Sequence, residues 1–472
     1  MKKGILFFVV LLMISPLMGA DKKKFLDELN KILDSEYFES AGISLEVFNL
    51  TDSAEVISYD NKKLLHPASN MKVITTTTAM YFLGPDYTFT TTLAGTGEIR
   101  DEVYTGDLYF IGGLDPDFTT TDLQQFTNFL TSNGIKEIRG NIYADVSIMD
   151  SLYWGVGWMW DDDPGFDFPY MTPLIINDVS VTVYTKPGES GKPVEYSVTP
   201  YSKYYSVSNY AVTVAEDTSD LTVTRDWKGR TNEIQLKGFL SADESLDSTR
   251  INICRPELYF LKLFEEQLSS AGIRYYGVSD TLTSPENCEV LFRKTRKYEN
   301  ILDNLNKESD NLSAEMSLRA LALESFGKPA TAENGIKMID SLIAIVGLDP
   351  EDYRIVDGSG VSHYNLVSTE LMTRLLNFMY YKYPEKYQRL KISFPEAGVD
   401  GTLENRMTRS EAKSKIFAKT GTLSGVSTLS GYAECESGKN ISFSIFVQNF
   451  VGKTSHARSF QDKICQLIVK YL

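Results

Sequence analysis

Residues 67–72, Pro67-Ala68-Ser69-Asn70-Met71-Lys72, lead into Val73-Ile74 and four threonines and are closed by Leu83-Gly84-Pro85. The proline before and the Gly-Pro after bracket a helix from about 69 to 83. Residues three apart share a helix face, so Ser69 Oγ and Lys72 Nζ can meet. A serine hydroxyl is a weak nucleophile until a base takes its proton. A lysine becomes that base when burial and a neighbouring cation lower the pKa of its ammonium. The helix N-terminus adds free N–H groups suited to a developing oxyanion. Taken singly, Ser69 reads as well as a helix cap and Lys72 as a solvated lysine. Ser410-Glu411-Ala412-Lys413 repeats the spacing in a charged stretch that reads as a solvated loop.

Two further motifs follow in order. Ser309-Asp310-Asn311 stands just before a helical stretch at 312–323. The Ser309 hydroxyl suits a proton relay between Lys72 and a leaving amine, and the Asn311 amide offers a donor and an acceptor to a substrate backbone. Tyr298-Glu299-Asn300 competes for this place, but Ser309-Asp310-Asn311 pairs with the helix after it and fits the known set of three motifs. Lys419-Thr420-Gly421-Thr422 lies in a predicted strand. Lys419 supplies a cation for a substrate carboxylate and a field over Lys72, and Gly421 lets the backbone approach a ligand. The Thr422 N–H would complete an oxyanion hole with that of Ser69. The three motifs together, each on a fitting element, make coincidence improbable.

Working outward, 22–34 reads as an amphipathic helix and 43–49 with 55–59 as a hairpin. From about 90 to 278 short β-type runs dominate, between Gly, Pro, Asp and Ser clusters. This block holds all four tryptophans, Trp154, Trp158, Trp160 and Trp227. Helical periodicity returns at 256–271, 312–323, 335–346 and 369–381. Three strands (416–422, 428–433, 441–447) and a closing helix (455–472) end the chain. The two ends therefore share one α+β texture around a long, mainly β insertion.

The chain has 472 residues, enough for two or three domains, and a net charge of −16, which argues against nucleic-acid partners. Lys2-Lys3, an apolar run to Met18 and Gly19-Ala20 have the layout of a secretory signal peptide, so residues 1–20 are expected to be removed on export. No later stretch is apolar and long enough to cross a bilayer. Cys254, Cys288, Cys435 and Cys465 would permit two disulfides in an exported protein, with three connectivities open, and their spacings match no zinc pattern. No metal or organic cofactor is called for. Nothing in the sequence fixes an oligomeric state.

The chain resembles the class C low-molecular-mass penicillin-binding proteins, a family of D-alanyl-D-alanine carboxypeptidase/endopeptidases. The likeness is carried by the three motifs, by Gly112-Gly113-Leu114-Asp115-Pro116, by 140–145 and 157–160, by Asp357-Gly358-Ser359-Gly360-Val361-Ser362, and by 398–403. Leu114 and Val361 depart from common patterns. The resemblance implies an α+β fold: a β-lactamase/transpeptidase-like domain, antiparallel sheet with helices, split by an insertion forming two smaller domains. The split domain would take 21–95 and 285–472, the second domain 96–165 and 228–284, and the third 166–227. It implies Ser69 as acylated nucleophile, Lys72 as base, Ser309 and Asn311 as the second element, and Lys419 with Thr420 as holders of the terminal carboxylate. Asp162, in Asp161-Asp162-Asp163, would contact the amine of the peptide's diamino acid. The implied partners are peptidoglycan stem peptides or cross-links, and β-lactams, which would acylate Ser69.

Two alternatives share the motifs. A class A β-lactamase would carry Glu-x-x-Leu-Asn, and no Glu between Asn311 and Lys419 begins it; Glu315-Met316-Ser317-Leu318-Arg319 comes nearest. A non-catalytic wall-binding homologue would be expected to have lost Ser69, Lys72 or Lys419, and all three stand.

Overall fold

The computed structural model describes residues 19–33 and 40–472; the expected signal segment falls largely outside them. The two ends of the chain are sewn into one five-stranded antiparallel sheet. Its order is Ile416–Leu423, Val426–Glu434, Asn440–Gln448, Gly42–Asn49 and Ala54–Tyr59. The first strand pairs with the last along its whole length, Gly42 opposite Gln448 and Asn49 opposite Ile441.

Strand Asn440–Gln448 is buried from its second residue on because both faces of the sheet are covered. Ile441, Phe443, Ile445 and Val447 pack with Phe25 and Leu29 of helix Ala20–Leu33 and with Ile464 and Ile468 of Thr454–Tyr471. The opposite face packs against helices Thr369–Lys382 and Pro384–Ser393, in one core with Met71–Phe82, Asn311–Phe326 and Ala332–Ile345. Hydroxyls on that face are paired as burial demands: Ser430 with Ser444 at 2.7 Å and Ser44 with Thr369 at 2.7 Å.

The insertion leaves and rejoins this domain through adjacent strands, Thr88–Gly95 and Glu289–Lys297, which pair antiparallel. They belong to a five-stranded sheet with Leu108–Ile111, Ile142–Asp145 and Ser279–Thr281, backed by helices Thr120–Ser132 and Pro256–Ser270 around a phenylalanine-rich core. Helix Thr120–Ser132 is an addition to the mainly β block read from the sequence. Two small sheets built from strands between Ser180 and Asn252 form the distal part. They run past the expected limit at 227 because Glu233–Ser241 and Asp247–Asn252 pair back onto strands that precede it. All four cysteines are free, and Cys254, Cys435 and Cys465 are buried, so the disulfides allowed by composition do not form.

Candidate active site

The nucleophile turn begins at Ala68, whose positive φ of 45° turns the chain into a 3-10 turn, Ala68–Asn70, that runs into helix Met71–Phe82. That helix is buried from Met71 to Met80. Three of its four threonines place their hydroxyls on acceptors, Thr75 on Gly358 O at 2.7 Å, Thr76 on Asn306 Oδ1 at 3.3 Å and Thr78 on Ile74 O at 2.8 Å, while Thr77 Oγ1 is buried without a partner among the described residues.

Lys72 is fully buried and its ammonium reaches three oxygens: Ser69 Oγ at 3.1 Å, Asn311 Oδ1 at 2.5 Å and Ser359 O at 2.8 Å. Burial pushes its pKa down to about 8, against the raising influence of Asp310 and Asp357. Only one of the three partners, the Ser69 hydroxyl, can also donate. A neutral Lys72 therefore keeps its two N–H groups on Asn311 and Ser359 and turns its lone pair to the Ser69 proton. The network itself selects the serine to be activated.

Ser309 sits at a left-handed φ of 65° just ahead of helix Asn311–Phe326, which Asp310 caps through Ser313 N at 2.5 Å. Asn311 hangs between two domains, since its Nδ2 donates to Asp167 O of the inserted segment at 2.6 Å. The rival Tyr298 is buried in the core at the start of another helix, Tyr298–Lys307, with Asn300 exposed beyond it.

Strand Ile416–Leu423 comes close to the nucleophile turn at Gly421. A Cβ there would meet Thr428 Oγ1 at 2.2 Å and Pro67 O at 2.8 Å. Asn70 Nδ2 donates to Lys419 O at 3.0 Å and Thr428 Oγ1 to Pro67 O at 2.7 Å, fixing that contact. Lys419 is buried beneath the strand, and its Nζ donates to Ser309 Oγ at 2.8 Å and to Thr420 O at 3.0 Å. Burial, and then the charge of Lys72, hold its pKa well below the ordinary lysine value. Two buried ammoniums that repel one another are each easier to deprotonate than a solvated lysine.

A groove of about 440 Å³ opens above these groups. Ser69, Ser309, Asn311, Thr420, Gly421 and Thr422 line it, with Asp167 and Phe168 of the inserted segment across from them. Eight of the nine residues named from sequence thus come together here, six on the surface and Lys72 and Lys419 beneath. Asp162 stands apart: its carboxylate accepts from Met159 N at 2.7 Å, and burial raises its pKa. The acidic residues that line the groove are Asp167, from the inserted segment, and Glu308, beside Ser309.

Sequence reasoning missed the scaffold under Lys72. Ser359 lies in the Asp357–Ser362 turn, held from both sides. Asp357 accepts from Gly360 N at 2.9 Å, Ser362 N at 2.6 Å, Asn365 Nδ2 at 2.7 Å and Trp158 Nε1 at 3.1 Å. Glu315 Oε1 accepts from Gly358 N at 3.0 Å and Ser359 N at 2.8 Å, and burial pushes its pKa up to about 7. Gly360 is required by its φ of 87° and by Ala68 O, 1.9 Å from where a Cβ would stand. Arg406 and Arg458 at the far end of the groove were missed too. Arg406 is bonded to Asp462 at 2.6 Å, whereas exposed Arg458 touches Thr422 Oγ1 at 3.4 Å.

Comparison with known proteins agrees with this geometry. The model of the D-Ala-D-Ala carboxypeptidase 3 (S13) family matches residues 25–471. A D-alanyl-D-alanine carboxypeptidase of Actinomadura sp. (strain R39) is 30% identical over 96% of this chain and 86% of its own length. The D-alanyl-D-alanine carboxypeptidase DacB of Haemophilus influenzae is 27% identical over 87% of this chain and 86% of its own. The crystal structure of penicillin binding protein 4 from H. influenzae superposes with a TM-score of 0.83 at 24% identity, covering 94% of this chain and 99% of that one, and shows the same fold, insertion domains included. That protein has also been crystallised with a β-lactam. The chain belongs to the D-Ala-D-Ala carboxypeptidase 3 (S13) family, a family of serine hydrolases.

Proposed function

We propose that this chain hydrolyses D-alanyl-D-alanine peptides of peptidoglycan through an acyl-enzyme at Ser69. The observation that carries this reading is the orientation of Lys72, of whose three partners among the described residues Ser69 Oγ is the one able to donate. Neutral Lys72 takes the Ser69 proton as Oγ bonds to the penultimate carbonyl carbon, with the N–H groups of Ser69 and Thr422 facing the oxyanion. The C–N bond then breaks. Ser309, already accepting from Lys419, gives its own proton to the departing amine and is resupplied by Lys419. Lys72 is now charged and Lys419 neutral. Water attacks the ester, its proton passing back through Ser309 to Lys419, while Lys72 reprotonates Ser69. The cycle closes without a net proton. The proposed contact for the amine of the diamino acid moves from Asp162, which is bonded to Met159 N outside the groove lining, to Asp167, which lines it. Export is inferred from Lys2-Lys3 and the apolar run after them.

The test is a fluorescent penicillin with peptide mapping, beside D-alanine release from a pentapeptide. A lasting adduct on Ser69 together with D-alanine release is expected. Rapid turnover without a lasting adduct would favour a β-lactamase, and neither adduct nor release would leave a wall-binding protein.

The buried position of Lys419 redistributes the task of holding the terminal carboxylate. Two of the three N–H groups of its ammonium go to Ser309 and Thr420 O, and exposed Arg458, bonded to Thr422 Oγ1, is a further cation on the groove for that carboxylate. Arg458→Gln is expected to raise KM for a D-Ala-D-Ala peptide about tenfold to a hundredfold, the range for losing a charge-assisted hydrogen bond. A peptide with an amidated C-terminus should be indifferent to the change. Equal KM for wild type and variant on the free-acid peptide would remove Arg458 from the site.

A further inference from the structure

The four tryptophans of the chain, scattered in sequence from Trp154 to Trp227, line one cavity of about 500 Å³ in the inserted part. None of its lining residues lines the groove at Ser69. Trp160 is 71% exposed, and its ring stands 5.1 Å from that of Trp227, tilted by 41°, so the two indoles offer solvent a joint aromatic face. The cavity wall is fixed from behind. Fully buried Arg225 is bonded to Asp163 and, at 2.9 Å, to Asn252, and Tyr170 donates to Asp163 at 2.8 Å. At its mouth, Lys228 Nζ lies 5.3 Å over Trp227 and Arg230 donates to Tyr153 Oη at 3.1 Å. A rigid aromatic wall beside a few polar groups is the make-up of a small-molecule site.

The cavity and the groove share a partition. Trp158, on the cavity side, meets Phe168, on the groove side, edge to face at 6.1 Å. The same Trp158 donates to Asp357, which holds the turn under Lys72. Whatever is covalently joined to a peptide in the groove therefore has this cavity beside it. In peptidoglycan, that is the amino-sugar strand.

We propose that the tryptophan cavity is a saccharide subsite, taking one N-acetylated pyranose of the glycan strand while its stem peptide lies in the groove. The assignment rests on the hydrolase reading above for its substrate, and on the cavity itself for its chemistry. The apolar C–H face of a pyranose matches the Trp160–Trp227 platform, and its hydroxyl and acetamido oxygens match the N–H groups of Lys228 and Arg230.

Two measurements on the full mature chain test this. Titration with N-acetylglucosamine tetramer, which carries no peptide, should change the tryptophan fluorescence of the wild type, and Trp160→Ala should abolish the saturable change. In kinetics, Trp160→Ala should lower kcat/KM about tenfold on peptides still attached to glycan chains and leave it unchanged on a free pentapeptide. No saturable fluorescence change would overturn the saccharide assignment. So would an equal loss on both substrates, which would mean that the cavity receives peptide. The hydrolase reading fails separately, by absence of D-alanine release and penicillin adduct in the wild type.

Discussion

Lys72→Met is expected to lower kcat for D-alanine release by on the order of 10⁴ or more, and Ser69→Ala by at least as much. The double variant should fall no further, because a nucleophile and its base act as one unit and their losses do not add. A second readout separates chemistry from folding. Lys72 occupies a dry site where its charge is costly, and an apolar side chain of similar size there is tolerated well. Methionine forfeits the bonds to Asn311 and Ser359 but also the burial cost, so thermal stability should stay within a few degrees of the wild type. Loss of activity with a kept Tm identifies Lys72 as the base. Loss of both would make it structural, and retained activity would remove it from the mechanism.

The pH dependence of penicillin acylation carries the second large effect. Lys72 acts when neutral, and burial places its pKa at about 8. Below that value the amine is protonated, so the acylation rate should rise with pH, roughly tenfold per unit, and level off above about 8. Between pH 6 and the plateau the gain is on the order of a hundredfold. The same depression has a sign for stability. The unfolded chain binds this proton up to the ordinary lysine range while the folded one has released it above about 8, so this group's contribution to stability rises with pH across that window. A flat acylation profile from pH 6 to 9 would exclude Lys72 as the titrating base.

What was legible in the sequence is what lies close along the chain. Ser69 and Lys72 are one helical turn apart, and Ser309 with Asn311 and Lys419 through Thr422 are each four residues or fewer, so each motif is local, and the three in order marked out the site that Ser410 and Lys413, at the same spacing, did not. The helices and strands with strong periodicity around them were equally readable. Helix Thr120–Ser132 was not: its Thr, Gln and Asn residues blur the apolar face, and its clearest mark was the capping box of Thr119 with Asp122. Glu315, Asp357 and Arg458 were out of reach for another reason. Each works through a backbone or side chain brought to it by tertiary folding, and no local pattern records that Glu315 will grip Gly358 and Ser359. Asp162 and Asp167 show the same limit on a smaller scale. An acidic loop was located, but which carboxylate faces the groove depends on turns that the residue types do not dictate.

The pairing of Gly42–Asn49 with Asn440–Gln448 has a consequence for the order of events during synthesis. A ribosome delivers Gly42–Asn49 long before Asn440–Gln448. The central sheet, with the nucleophile turn that leans on it through Thr428, stays open until the last strands have emerged. The inserted sheets close over much shorter loops and are free to form earlier. The nucleophile turn therefore reaches its final support only when Asn440–Gln448 has paired with Gly42–Asn49.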